Sequence, residues 1–166
     1  SVYNKGNILF SGEKGLYEFN PSSKLITPYA TSAYPEVDLS RQFLFAIKED
    51  IHGNIWLARD ASDGLLIFYP DKLKFAFSRA PAQYFNIVYS LAVDQHGNLI
   101  SAGYQKGLNI FSRTGDWKKF IDLPKTEDGL TTSMRCMNFI DPDHLVMKSL
   151  FGKMAVLNMN DFSVTD

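Results

Sequence analysis

Three histidines in this sequence keep company with aspartates, and two of them do so in nearly the same words. Asp50-Ile51-His52-Gly53-Asn54 is echoed by Asp94-Gln95-His96-Gly97-Asn98, while His144 follows Asp141 by three residues. An imidazole beside a carboxylate can ligate a metal or serve as a general base. Ligation requires the side chains to converge on one ion at about 2 Å each. Both clusters fall between two short apolar runs, and matching points on neighbouring sheets stand ~10 Å or more apart. The residue types also suit a tight hairpin. Glycine takes the positive φ such a turn needs, and aspartate accepts hydrogen bonds from turn amides. Asp50, Gly53, Asn54, Asp94, Gly97 and Asn98 are therefore expected to be structural turn residues, with neither metal nor cofactor.

Other reactive chemistry finds little footing. The chain contains no Gly-x-Ser-x-Gly, no His-Glu-x-x-His, no phosphate loop and no paired-cysteine motif. Its single cysteine, Cys136, lies in an apolar pattern, Met134-Arg-Cys-Met-Asn-Phe-Ile140. There it is expected to be a buried small hydrophobe and a poor nucleophile. No catalytic residue is assigned, and no enzyme activity is expected of this segment.

The elements that carry the turns recur. Gly-Asn pairs begin at Gly6, Gly53 and Gly97, and a Gly-Leu follows each, at Gly15, Gly64 and Gly107. An aromatic residue stands four places after that glycine, at Phe19, Phe68 and Phe111. A fourth, divergent copy runs from Phe139 to Val164, with Leu157 in the aromatic slot. Each unit holds about four runs of four to seven residues rich in Val, Ile, Leu, Phe and Tyr, separated by turn residues, which predicts strands. Short links favour antiparallel hairpins. Four strands per unit of about 40–45 residues is the arithmetic of a β-propeller blade. The expected fold is all-β, with blades over about 1–33, 34–80, 81–125 and 126–166.

The remaining composition restricts partners. Lys and Arg number 17 against 18 Asp and Glu, which gives no electrostatic reason for nucleic acid or an anionic membrane surface. No apolar run approaches the roughly 20 residues that cross a bilayer. The chain opens without Met and without a charged-then-apolar leader, so any secretion signal is expected to have been removed or left out.

"LFAIKEDIHGNIWLARDASDGLLIF" (44–68) resembles the two-component regulator propeller repeat: an apolar strand, Asp-x-x-Gly-Asn-Ile/Leu-Trp, then a Gly-Leu strand. Residues 88–111 match the pattern with Ile100 in the Trp slot, and residues 4–19 match its second half with Leu9 there. The resemblance implies an extracytoplasmic, periplasmic sensor region of a hybrid two-component protein, of the kind common in Bacteroides-type bacteria. Such sensors often respond to oligosaccharides, and their kinase and regulator modules lie elsewhere in the chain. The alternatives are a propeller lyase of the streptogramin-lyase kind, which similar blade repeats also build, and a protein-interaction propeller.

Propeller ligands commonly meet the rim formed by the second-to-third-strand loops and the blade-to-blade loops. Sugar binding needs aromatic faces beside planar hydrogen-bonding groups. On that rim the expected ligand-binding residues are Tyr34, Arg41, Arg59, Asp60, Tyr84, Asn86, Tyr104, Gln105 and Arg135. Trp56, Phe10, Phe68 and Phe111 are instead expected to pack between blades, and Trp117 to be part-exposed on an outer strand. The first unit has only about three residues where its first strand belongs, for a total of about three and three-quarter blades. The expectation is part of a larger propeller, whose partners are a saccharide ligand and either further blades or a second copy of the chain.

Overall fold

Runs of β-branched and aromatic residues, cut every few residues by Gly, Asn, Asp or Ser, can pair as hairpins but cannot continue as helices. The computed structural model bears this out over the residues it describes, 6–12, 14–29, 37–39, 42–59, 64–72, 74–84, 87–104, 107–123 and 133–165. The strands are β1 Ile8–Gly12, β2 Gly15–Asn20, β3 Leu25–Pro28, β4 Leu44–Glu49, β5 Ile55–Arg59, β6 Leu65–Tyr69, β7 Lys74–Ser78 and β8 Val88–Val93. They continue as β9 Leu99–Gly103, β10 Leu108–Phe111, β11 Trp117–Ile121, β12 Met134–Phe139, β13 His144–Ser149, β14 Met154–Asn158 and β15 Val164–Thr165. Two single turns of 3-10 helix, Pro70–Lys72 and Ala82–Tyr84, interrupt them. Among the described residues no helix is long and apolar enough to cross a membrane.

Each unit is an antiparallel meander. The sheets are β4-β5-β6-β7, β8-β9-β10-β11 and β12-β13-β14-β15, preceded by a three-stranded sheet β1-β2-β3. By repeat position β1 corresponds to β5 and β9, so the described part of the first sheet starts at its second strand. The sheets stack in chain order, with β4, β8 and β12 as neighbouring inner strands. The Ser90 hydroxyl of β8 accepts a hydrogen bond from the Met137 amide of β12 at 2.9 Å, joining two inner strands.

The period of two in each strand sorts side chains to opposite neighbours. In β5, Ile55 and Leu57 pack toward the first sheet with Leu9, Leu16 and Phe68. Trp56 and Ala58, the intervening residues, pack toward the third sheet with Leu91, Leu99 and Phe111. In β9, Leu99 faces back, while Ile100 and Ala102 face forward to Met137, Leu145 and Leu157. Trp56, Phe68 and Phe111 are fully buried between sheets.

Two expectations about burial need correction. Phe10 is only partly buried, stacked on Tyr17 with ring centroids 5.5 Å apart. It lies on the far side of the first sheet from Leu9, where no described element covers it. Cys136 is exposed rather than buried. A register shift between Met134 and Cys136 changes the alternation, so Met134 and Met137 enter the core while Cys136 pairs with Lys148.

Candidate functional site

The edge bearing the Asp-x-His-Gly-Asn sequences is built from hydrogen bonds to two carboxylates. Asp50 Oδ1 accepts the amides of His52 at 2.8 Å and Asn54 at 3.0 Å, and its Oδ2 accepts Asn54 Nδ2 at 2.9 Å. Asp94 repeats the three bonds with His96 and Asn98, at 2.9, 2.8 and 2.7 Å. Gly53 and Gly97 stand at φ +78° and +77°, the left-handed region that a β-branched residue avoids. In the second sheet a fourth donor arrives: Trp56 Nε1 bonds Asp50 Oδ2 at 3.0 Å. In the third sheet Ile100 fills that slot and has no such donor. The tryptophan of the repeat thus locks its own turn from inside the core.

The fourth sheet makes a variant of the same turn. Asp141 Oδ1 accepts the amides of Asp143 and His144, each at 2.9 Å, and meets the His144 ring at 2.9 Å. The Asp143 amide, and next the His144 ring, hold the Asp141 carboxyl below its ordinary value of 3.8. Bonds from the Ser163 hydroxyl and amide do the same for Asp161. A carboxyl depressed by folding contributes stability above its unfolded pKa and loses that contribution as pH falls through the folded value. The melting temperature is therefore expected to fall as pH drops below about 4, and more shallowly in Asp141→Asn. Thermal melts in acidic buffers would check it; equal slopes would mean the turn does not respond to Asp141 ionisation. Among the described residues no group of three or more His, Cys, Asp or Glu converges as a metal site.

At the opposite edge, each inner strand shifts register at its start, between Leu44 and Ala46, Val88 and Ser90, and Met134 and Cys136. The residue inside each shift is Phe45, Tyr89 or Arg135. A bulge re-aims one side chain out of the pleat, and these three meet one another across blades. Phe45 stands edge-on to Tyr89 at 5.1 Å, and the Arg135 guanidinium lies 3.6 Å from the Tyr89 ring centroid. Phe43 extends the row, 4.7 Å from Phe45. The result is a line of aromatic faces ending in a cation, with Arg135 exposed and the rings partly so.

Arg135 is the member of this row that the sequence indicated. Phe45 and Tyr89 were missed. Their signal is the second position of the inner strand, read down the repeat as Phe, Tyr and Arg in "LFAIKED", "VYSLAVD" and "MRCMNFID".

Other rim candidates take different places. Tyr104 is 61% exposed at the tip of the β9–β10 loop, where its amide bonds Ile87 O at 3.1 Å. Arg59 is only 7% exposed, its Nη1 bonding Gln42 Oε1 at 3.1 Å and its guanidinium 5.1 Å from the Phe77 ring. The Tyr84 ring stacks on Phe120 and Trp117, at 4.8 and 5.8 Å, and Asn109 Nδ2 holds its carbonyl at 2.6 Å. Arg59 and Tyr84 thus brace loops. Tyr34, Arg41, Asp60, Asn86 and Gln105 lie outside the described residues.

Stacked four-stranded meanders with neighbouring inner strands define a β-propeller fold. Solved structures agree. The extracellular domain of the putative hybrid two-component system BT3049 from B. thetaiotaomicron is similar, with TM-score 0.70, 17% identity, and 99% of this chain covered against 23% of that one. Virginiamycin B lyase from Staphylococcus aureus gives TM-score 0.71 at 14% identity over 99% of this chain and 53% of the lyase. The WD40 repeats of RRP9 give TM-score 0.72 at 11% identity over 99% and 48% of the two chains. The chain therefore spans about a quarter of the first of these and about half of the others. No protein-family model and no curated protein matches it.

Proposed function

We propose that this chain is the saccharide-binding part of a periplasmic sensor region in a hybrid two-component protein, without enzymatic activity of its own. The observation that carries this reading is the Phe45–Tyr89–Arg135 row. Three successive blades spend a bulge each to put two aromatic rings and a guanidinium side by side. Aromatic faces take the C–H side of a sugar ring, and a guanidinium donates to its hydroxyls. The repeat pattern and the propeller likeness to the BT3049 extracellular domain support the setting. Its partners would be an oligosaccharide and, on the uncovered side of the first sheet, a further blade or a second copy.

The lyase reading finds less support in the site. A lyase needs a general base beside its substrate, and all three histidines lie at the edge away from the row, His52 and His96 in turns and His144 at the start of β13. Titration calorimetry against a glycan panel tests the proposal. The double variant Tyr89→Ala, Arg135→Ala is expected to weaken a binding glycan by about 2–3 kcal/mol with little change in melting temperature. Unaltered affinity would exclude the row as the site, and a ligand response to proteins only would favour the interaction-propeller alternative.

A further inference from the structure

The turn-bearing edge carries a second recess that the rim reading does not use. Between the third and fourth sheets lies a groove of about 260 Å³. Phe139, Met159 and Phe162 form its floor, each partly buried and packed on the core between these sheets. One wall brings His96, Lys118 and Lys119, and the other brings Asp143 and Asn160. Lys118 Nζ already bonds Asn98 Oδ1 at 2.7 Å, which fixes it to the repeat turn. The Met159 amide bonds Asp143 O at 2.8 Å, so the two turns of the second wall are tied together.

Phe162 holds an unusual backbone. It sits at φ +59°, where a bulky residue is an outlier. The turn itself dictates that conformation: the Phe162 amide bonds Asn158 O at 2.8 Å, and Lys24 closes the matching turn of the first sheet on Asn20 O at 2.8 Å with φ +58°. In the third sheet the left-handed residue of the corresponding turn is Gly115, at φ +93°. The hydrogen bonds of the turn call for no ring; within the groove the Lys119 ammonium lies 4.8 Å from the Phe162 ring centroid, leaving the rest of the ring as floor. At Phe162 the strain is accepted together with an aromatic floor to the groove, the direction of inference that a strained residue permits.

We propose that this groove binds one neutral sugar residue. Its volume lies just under the roughly 300–1,000 Å³ of small-molecule pockets, which suits a single ring. The floor is apolar, as the C–H face of a pyranose requires. Lys118 and Lys119 donate, while Asp143 and the Asn160 amide oxygen accept, and a hydroxyl needs both. The charges cancel, Lys118 and Lys119 against Asp94 and Asp143, so the groove has no preference for an ion. The corresponding groove between the second and third sheets differs: His52, Lys72 and Arg113 line it, and its described lining holds no carboxylate. The choice of a sugar rests on the sensing reading above, whereas the site is independent of the Phe45–Tyr89–Arg135 row.

Amide-resolved NMR titration of the chain with methyl glycosides of glucose, galactose and mannose, and separately with inorganic sulfate, would test this. At least one glycoside should produce saturable shifts at His96, Lys118, Asp143 and Phe162. Its affinity should fall about tenfold or more in Phe162→Gly and in the exposed-site variant Asp143→Ala, and should be unchanged in Tyr89→Ala. Glycosides that leave the four amides unmoved would overturn the proposal, as would shifts there from sulfate alone. Retained groove binding alongside a silent row would refute the rim reading while sustaining this one.

Discussion

Asp50→Ala is expected to cost about 3–4 kcal/mol of stability, and Asp94→Ala only about 1 kcal/mol. The two aspartates hold the same turn, but their surroundings differ. Asp50 is 6% exposed and accepts four hydrogen bonds, one of them from the indole of the fully buried Trp56. Removing its carboxylate leaves that N–H in the core with no acceptor and no route to water. An unsatisfied buried donor costs about 1–3 kcal/mol, and charge-assisted bonds to the turn amides are lost as well. Asp94 is partly exposed and its three donors can turn to solvent. Urea unfolding of both variants measures the difference. Combining Asp50→Ala with Trp56→Phe isolates the indole bond, since removing both partners should cost less than the two single changes added together. Equal losses at Asp50 and Asp94 would mean that the indole bond adds nothing to the turn.

That contrast also marks what could be read from the sequence. The Gly-Asn turns were legible because positive φ restricts residue choice so strongly that the restriction recurs in three of the four copies, at Gly6, Gly53 and Gly97. The inter-blade burial of Trp56, Phe68 and Phe111 was legible from continuous apolar strands. The bond between Asp50 and Trp56 was not, because six residues along a chain say nothing of distance until the hairpin closes. The Phe45–Tyr89–Arg135 row was hidden for another reason. A bulge adds one residue to the strand, so a period of two carried through "LFAIKED" or "MRCMNFID" assigns the residues on one side of it to the wrong face. The same slip explains Cys136, expected in the core and found beside Lys148 on the uncovered side. Tyr84 and Arg59 have the chemistry of ligand residues, and only their contacts reveal that they brace loops.

The chain is expected to self-associate through the far side of its first sheet. Repeat positions make the argument quantitative. Ile55 and Phe75 of the second sheet are 3% and 9% exposed because the first sheet covers them. Their counterparts Ile8 and Ile26 are 36% and 61% exposed. On the same face lie Phe10, Tyr17 and Phe19, paired Ile8 to Phe19, Phe10 to Tyr17 and Phe19 to Ile26. This has the make-up of a blade interface, and no described element covers it. Covering it contributes about 25 cal/mol per Å² of apolar surface, and contiguous patches of this kind mark association sites. The opposite end of the stack is less suited, since Lys148 and Cys136 share its free face. An isologous pair, first sheet against first sheet, buries apolar surface on both copies without burying a charge. Light scattering at micromolar concentration should therefore report a species larger than one chain. Phe10→Lys with Ile26→Lys should shift it to the monomer, because each lysine would have to be buried unpaired in the contact, whereas Lys148→Glu should leave it intact. A wild-type chain that stays monomeric and melts cooperatively would refute this expectation and point instead to a stack whose first sheet is covered within the same chain.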